Sequence, residues 1–263
     1  MPSHETIDLS VGDGAATILL NRPDSLNAWN EQFGTDLLDA VRTVAGDEGV
    51  RAVMITGAGR AFSSGADLRE DRSGEEGLPD LSKRLKELYH PIILGIREME
   101  KPVLAAVNGP AVGIGCSLAL DCDLILAAES SYFLLAFVNI GLVPDGGVTA
   151  LLPARAGVAR TTEMGILGER VPAAQALESG IVNRVLPDER LRDDARLLLE
   201  HLAHGPTRSY ANFKKLINRR VYAGMVDQLE AEADAQAEQG RTADFVEGVL
   251  AFTEKRPPVF KGS

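Results

Sequence analysis

Two short, strongly apolar segments of this chain each end in a glycine-rich connection that leads into a predicted helix. RAVMITGAG leads into GAGRAFSSGADL at residues 57–68, and KPVLAAVNGP leads into NGPAVGIGCSLAL at residues 108–120. Apolar runs of this length that end in glycine predict buried strands. Buried strands that alternate with helices predict an α/β fold, because helices must cover both faces of such a sheet.

The segments around these strands fit the same arrangement. Residues 6–23 predict two strands around the turn VGDG, and residues 24–47 predict a helix. Residues 80–100 predict another helix with a kink near Pro91, because proline removes a backbone donor from the helix.

The chain changes character after about residue 146. GGVTALLPARAG, VARTTEMGILG and PAAQALESG predict helices, and further helical segments follow the short predicted strand IVNRVL. We therefore expect an α/β core over residues 1–200 and a helical oligomerisation region over residues 201–263.

Charge and cysteine content exclude several classes of partner. The formal net charge of −11 disfavours nucleic acid and anionic membranes, so an anionic ligand would need a local cluster of positive groups. No apolar run approaches a membrane span, and the N-terminus lacks the apolar core of a signal peptide. Cys116 and Cys122 have no neighbouring zinc ligands, which predicts free buried thiols, no metal site and a cytoplasmic location.

The two glycine-rich connections predict a particular kind of chemistry. A helix start leaves backbone N–H groups without acceptors, and two such starts can direct two donors at one carbonyl oxygen. This polarises a thioester or ketone and makes its α-proton easier to remove. Neither connection has the glycine spacing of a dinucleotide or P-loop site.

Asp145 lies in the turn NIGLVPDGG, between two strongly apolar segments. Aspartate beside glycine is typical of a surface turn. The same residue could instead present a carboxylate to an apolar pocket, where it would move a proton next to the polarised carbonyl. The residues alone leave both interpretations open.

Several ordered motifs resemble the enoyl-CoA hydratase/isomerase family, also called the crotonase family. They are RAVMITGAGRAFSSGADL, KPVLAAVNGPAVGIGCSLALDCDLILAAESSYF, IGLVPDGGVTALLP and ALESGIVNRVLP. The resemblance implies an α/β, crotonase-like spiral of ββα units with a C-terminal helical trimerisation region. It also implies a homotrimer or a dimer of trimers and an acyl-CoA thioester substrate, with coenzyme A as part of the substrate rather than a separate cofactor.

The resemblance also assigns residues. The backbone N–H groups of Ala66 and Ile114 would hold the thioester oxygen. Leu26 and Ala28 would contact the coenzyme A moiety. Asp67 and Leu68, which follow Ala66, and Lys255 near the C-terminus would contact it as well.

This chain departs from the hydratases of the family at two positions. Hydratases use two glutamates, and Ser117 and Phe137 stand in their places here. Addition of water needs proton transfers at both water and carbon, so the paired-glutamate route is not favoured. Asp145 matches the acid of the subgroup that isomerises double bonds or ring epoxides of acyl-CoAs, with ring-1,2-epoxyphenylacetyl-CoA isomerase as the nearest type. One carboxylate suffices for that reaction.

We therefore predict an acyl-CoA isomerase with Asp145 as proton shuttle. The alternatives are an enoyl-CoA hydratase, an aryl-CoA dehalogenase in which Asp145 is a nucleophile, and a non-catalytic acyl-CoA-binding or RNA-binding relative. A second catalytic group, such as His90, is not assigned by the sequence.

Overall fold

The computed structural model of the chain describes residues 4–68 and 81–263. It contains strands that alternate with helices. The larger sheet has the strand order β1-β2-β3-β4-β6-β9, and the smaller has the order β5-β7-β8. The strands are β1 (Ile7–Gly12), β2 (Ala15–Leu20), β3 (Ala52–Gly57), β4 (Val103–Val107), β5 (Ala111–Val112), β6 (Leu124–Ala128), β7 (Tyr132–Leu134), β8 (Val171–Pro172) and β9 (Arg184–Leu186).

The helices follow the predicted order along the chain. They are α1 (Glu31–Gly46), α2 (Leu81–Arg84), α3 (His90–Glu98), α4 (Ile114–Asp121), α5 (Val148–Leu167), α6 (Ala173–Glu178), α7 (Asp188–Ala203), α8 (Thr207–Val221), α9 (Met225–Gln239) and α10 (Ala243–Glu254). The prediction of an α/β fold is confirmed, and so are both predicted buried strands and the two strands around VGDG.

Two predicted irregularities have a local cause. A π-helical turn, Leu85–Tyr89, joins α2 to α3 immediately before Pro91, because that proline has no N–H to continue the α-helical hydrogen bonds. Gly157 interrupts α5 with φ 76° and ψ 167°, which separates the two helices predicted on either side of it.

Parallel pairing buries the larger sheet on both faces. Val53 and Ile55 of β3 pack in the core on the side of α1 and α3, whereas Met54 faces α7. Strands that are buried on both sides need apolar residues at every position, which explains the continuous apolar runs of the sequence. Because successive parallel strands end at the same edge of the sheet, the connections after β3 and β4 lie next to each other.

Helix α7 packs on the central strands of this sheet and ends at Ala203. The predicted boundary between residues 200 and 201 therefore falls inside a helix, and the division into two regions stays a prediction. Of the helices that follow, α9 and α10 both contribute to the cavity described next.

Candidate active site

A cavity of about 740 Å³ lies at the edge of the sheet where β3 and β4 end. Its volume is in the range of small-molecule binding sites. Its lining includes the first glycine-rich connection, the N-terminus of α4, the loop that carries Asp145, and parts of α9 and α10.

The two glycine-rich connections are joined by backbone pairing. Ser63 forms a parallel bridge with Ala111, its N–H donates to Pro110 O at 3.0 Å, and Val112 N–H donates to Ser63 O at 2.9 Å. Gly65 has φ +90°, and a Cβ there would lie 3.0 Å from Val112 O. Only glycine accommodates both this conformation and this close approach without strain.

Ala66 is held by Trp29 of the preceding loop. Trp29 N–H donates to Gly65 O at 2.8 Å, and Asp67 N–H donates to Trp29 O at 2.9 Å. The indole of Trp29 is fully buried and donates to the Ser63 hydroxyl at 3.1 Å. These bonds fix the peptide on each side of Ala66, whose own N–H donates to no acceptor in the described parts of the chain.

Ile114 is the first residue of α4. Gly113 before it adopts φ 54° and ψ −128°, and no side chain of the described residues caps this helix. The Ile114 N–H, like that of Ala66, has no acceptor among residues 4–68 and 81–263. Both residues line the same cavity, and a pair of fixed backbone donors can stabilise a carbonyl oxygen that carries negative charge.

Asp145 lines the same cavity and is buried. Its Oδ2 accepts a hydrogen bond from the Gln236 side-chain nitrogen at 2.8 Å, whereas its Oδ1 is buried and has no hydrogen-bond partner among residues 4–68 and 81–263. Burial, assisted by the nearby negative charge of Glu232, raises the pKa of Asp145 to about 8, although the Gln236 hydrogen bond opposes this. A carboxyl group with such a pKa can exchange protons near neutral pH.

Glu232 of α9 holds the other end of this loop. Its carboxylate accepts from Gly147 N–H at 2.6 Å and from Thr149 N–H at 3.0 Å, and it also accepts from the Thr149 hydroxyl. It therefore caps the N-terminus of α5, where a negative charge is favourable. Burial raises the pKa of Glu232 above its ordinary value.

Ser117 occupies one of the two positions where the family's hydratases have glutamate. Its hydroxyl donates to the backbone oxygen of Asp145 at 2.7 Å. A Cβ at Gly146 would lie 2.4 Å from Ile114 Cδ1 and 2.9 Å from Ser117 Cβ. The Asp145 loop thus packs directly against the Ser117 side chain, which leaves little room for a longer one. Phe137, at the other position, contributes an apolar wall.

The structure brings most of the predicted ligand residues to the cavity. Leu26, Ala28, Asp67 and Leu68 line it together with Ala66. Asp67 also accepts from Arg22 Nη1 at 3.2 Å, so its carboxylate is engaged in an ion pair.

Two further residues named by the sequence lie elsewhere. Neither Lys255 nor His90 belongs to the described lining, whereas Arg256, next to Lys255, does. His90 Nδ1 lies 3.9 Å from a carboxylate oxygen of Glu230, and burial lowers the pKa of this histidine.

Positive side chains line the cavity although the chain carries a net negative charge. Arg60, Arg84 and Arg256 all line the cavity. Arg256 is held by Glu247 and Glu254 through ion pairs of 2.5 Å and 2.6 Å. The cavity is thus lined by three arginines together with the acidic residues Asp24 and Asp67.

The sequence matches the enoyl-CoA hydratase/isomerase family model over residues 11–263. The chain belongs to this family. The α/β arrangement agrees with membership of the enoyl-CoA hydratase/isomerase family. The predicted crotonase-like fold is confirmed by similarity to a solved structure of an enoyl-CoA hydratase from Mycobacterium avium subsp. paratuberculosis K-10. That structure is 37% identical, has a TM-score of 0.90, and the match covers 98% of this chain and 100% of that one.

Relatives in the family have different named activities. The chain is 41% identical over 253 residues to a 1,2-epoxyphenylacetyl-CoA isomerase of Escherichia coli K12, with 96% of this chain and 97% of the relative covered. It is also 41% identical over 260 residues to a probable enoyl-CoA hydratase of Rhodobacter capsulatus, with 99% of each chain covered. The comparisons thus establish a member of this enzyme family and leave the choice between isomerase and hydratase open.

Other predictions concern what the chain lacks. Cys116 and Cys122 are buried and free. Within the described ranges there is no group of His, Cys and acidic residues that could hold a metal ion, and no helix long and apolar enough to cross a membrane.

Sequence reasoning missed Glu232 and Gln236. They lie one turn apart on α9, on a face that is buried against the Asp145 loop. The available signal was their i, i+4 spacing beside the apolar Leu229 and Ala233, which marks polar residues on the buried side of a helix.

Proposed function

We propose that this protein is an acyl-CoA isomerase in which Asp145 moves a proton between two carbons of the acyl group. The observation that carries the proposal is the buried Oδ1 of Asp145, which has no partner among the described residues and lies in a cavity shared with the backbone donors of Ala66 and Ile114. A buried carboxyl oxygen without a partner is costly, so a reacting group on the ligand provides a physical reason for it.

The proposed reaction begins at a carbon made acidic by the thioester carbonyl. Ionised Asp145 accepts the proton, and the electron pair moves to the carbonyl oxygen, where the Ala66 and Ile114 N–H groups stabilise the resulting enolate. Asp145, now protonated, returns the proton to another carbon. Rearrangement of a double bond needs no second acid–base group in this scheme. For a ring epoxide, the carbon–carbon bond of the epoxide breaks and its electron pair joins the conjugated ring, so the oxygen keeps both C–O bonds and needs no proton.

The coenzyme A moiety would lie along Leu26, Ala28 and Leu68, with its phosphates near the cluster of cavity arginines. The apolar part of the cavity beyond Asp145 would hold the acyl group. Its walls combine aliphatic and aromatic side chains, among them Ile114, Leu134, Phe137, Leu142, Phe245 and Phe252. This lining suits a ring as well as a medium aliphatic chain.

A substrate panel in deuterium oxide tests the proposal. Unsaturated and ring-epoxide acyl-CoAs are incubated with the wild-type protein, with Asp145→Asn, and with Asp121→Asn as the matched control. Asp121 is a second fully buried carboxyl group with a pKa raised by burial, to about 7, and it does not line the cavity. We expect isomerised, deuterium-labelled product from the wild type and the control only.

Two other outcomes would contradict the proposal. Rapid formation of 3-hydroxyacyl-CoA would identify a hydratase. Tight binding of acyl-CoA without any turnover across the panel would identify a binding protein.

We also propose that the subunits assemble into a trimer or a dimer of trimers. Exposed apolar side chains on α5 and α8 support an oligomer, among them Val158, Ile166, Phe213 and Leu216. Light scattering on the purified protein measures the mass, and a monomer at micromolar concentration would exclude the assembly.

A further inference from the structure

Gln236 makes two hydrogen bonds with one atom. Its side-chain nitrogen donates to Val143 O at 2.7 Å and to Asp145 Oδ2 at 2.8 Å, and the residue is almost completely buried. The side-chain oxygen of Gln236 is buried and has no hydrogen-bond partner in the part of the chain that the structure describes. Like Asp145, Gln236 lines the cavity.

The Val143 contact decides the orientation of this amide. A backbone carbonyl oxygen can only accept a hydrogen bond, so it is the nitrogen of Gln236 that must face Val143. The same nitrogen then lies against Asp145 Oδ2, which must also be an acceptor. The amide therefore cannot turn around to accept a proton from Oδ2 without losing its bond to Val143.

We propose that Gln236 is a positioning residue that confines the exchangeable proton of Asp145 to Oδ1. Oδ2 stays an acceptor of the Gln236 N–H in both protonation states, and Oδ1 is the oxygen that takes the proton from the substrate carbon and gives it back. The two oxygens of a carboxyl group are chemically equivalent in water, and here the protein makes them different.

The inference rests on the proposed function for its catalytic meaning, since it names the atom of Asp145 that reacts. In the first step the carbon–proton bond breaks, an O–H bond forms at Oδ1, and the electron pair enters the enolate. In the second step the same O–H bond breaks and a new carbon–proton bond forms, so atoms and charge balance without another reactant.

Other groups around Asp145 leave this role to Gln236. In the described parts of the chain, Glu232 of α9 is the ionisable side chain whose charge acts on Asp145, and its carboxylate is occupied by the start of α5. From α4, Ser117 donates to the backbone oxygen of Asp145 rather than to its carboxylate. Gln236 thus supplies the hydrogen bond to a carboxyl oxygen of Asp145.

The test compares Gln236→Met with Gln228→Met. Methionine keeps the length of glutamine and removes its hydrogen bonds. Gln228 is the matched control, because it lies two turns earlier on α9 and donates to the Thr149 hydroxyl instead of to Asp145. The first readout is the carboxyl C=O stretch of Asp145 in the infrared spectrum of the resting enzyme, followed as a function of pH. The band is assigned by its loss in Asp145→Asn. The second readout is the pH profile of kcat/KM.

We expect Gln236→Met to raise the pKa of Asp145, because the lost N–H favoured the ionised form. A rise of about one unit would lower kcat/KM about tenfold at pH 7, with recovery at high pH, and would shift the C=O band. Gln228→Met should leave both unchanged. A loss of activity that is equal at every pH, with the band and its titration unmoved, would show a purely structural role and overturn the inference.

The infrared titration needs no substrate, so it separates this inference from the proposed function. A shifted band in a protein that isomerises no acyl-CoA would leave the hydrogen-bond assignment standing and remove its catalytic meaning. If Gln236→Met does not fold, Gln236→Glu provides the second variant. A carboxyl group at that position should raise the pKa of Asp145 further, and an unmoved titration there would again overturn the inference.

Discussion

The two halves of the candidate site are held in different ways. Ala66 and Ile114 are fixed by backbone pairing between connections that follow adjacent strands. Asp145 is fixed by side chains, from Ser117 below it and from Gln236 on a distant helix. The backbone half therefore depends on glycine conformations, whereas the side-chain half depends on individual polar partners. We expect the two halves to respond differently to substitution.

The largest effect is expected in the side-chain half, from Asp145→Asn. Loss of the only proposed proton shuttle should lower kcat by about 10²–10⁴-fold, while KM changes little because the backbone donors remain. Steady-state kinetics on an active acyl-CoA measures this. Asp121→Asn should retain wild-type kcat, and an equal loss in both variants would point to a general effect of removing buried charge.

Gly65→Ala tests the backbone half. The added Cβ meets Val112 O at 3.0 Å in a left-handed conformation, so the peptide that carries the Ala66 N–H must shift. Loss of one oxyanion donor costs about 3 kcal/mol, which predicts a fall in kcat/KM of about 100-fold. Gly157→Ala is the control, because Gly157 also has positive φ but no atom within 4 Å of the added Cβ. It should lose stability and keep activity.

The pH dependence sharpens the contrast further, because only the side-chain half titrates. With a pKa of about 8, Asp145 is mostly protonated at pH 6, so kcat/KM should rise roughly 50-fold between pH 6 and pH 8. A profile that is flat from pH 5.5 upward would show that Asp145 is already ionised and would contradict the role of burial.

The same pKa predicts a dependence of stability on pH. Since the folded-state pKa is above the unfolded value of about 3.9, the folded chain retains a proton that the unfolded chain releases between pH 4 and pH 8. The contribution of Asp145 to folding is therefore lost as pH rises through this window. Asp145→Asn should gain stability relative to wild type from pH 5 to pH 8, as urea unfolding at each pH measures.

Ser117→Ala should have a smaller effect on the side-chain half. It removes the hydrogen bond to the Asp145 backbone, worth about 1 kcal/mol, and should lower kcat several-fold as the loop loosens. Ser131→Ala is matched to it, because Ser131 is also buried and donates to a backbone oxygen, that of Ala128, at 2.7 Å. Thermal unfolding should show similar losses, whereas kcat should fall only in the first variant.

The smallest effect is expected at the C-terminal basic pair. Arg256→Gln should raise KM for acyl-CoA about two- to threefold at low salt, because Arg256 lines the cavity, and the effect should vanish at high salt. Lys255→Gln at the adjacent position should leave KM unchanged. The opposite ranking would support the sequence-based assignment of Lys255.

The sequence predicts the backbone half of the candidate site better than the side-chain half. The backbone half can be inferred from Gly65 and Gly113, because glycines after apolar strands predict tight turns and helix starts with unpaired N–H groups. The α/β fold and the location of the two connections were thus predictable from the residues, whereas Ala66 and Ile114 were assigned through the resemblance to the family. Asp145 was identified through its resemblance to family motifs, because a Pro-Asp-Gly-Gly turn alone favours a surface loop.

The partners of Asp145 could not be predicted in the same way. Gln236 lies in a helix whose polar residues mostly face solvent, and its spacing from Leu229 and Ala233 indicates burial without indicating which residue it contacts. Only the packing of α9 against the loop after β7 brings the two side chains together. Arg256, rather than Lys255, reaches the cavity because α10 ends in a left-handed turn at Lys255, a backbone detail that basic composition does not reveal.

The distance along the chain between the Asp145 loop and its partners has a consequence for biosynthesis. Glu232 is 85 residues beyond Gly147, and Gln236 is 91 residues beyond Asp145. On the ribosome, the sheet and the loops that carry the Ala66 and Ile114 N–H groups can form first. The Asp145 carboxylate is then not yet covered by α9. The proposed proton transfer by Asp145 therefore requires that α9 has been translated and has docked on the loop, so we expect activity to appear only when folding is nearly complete.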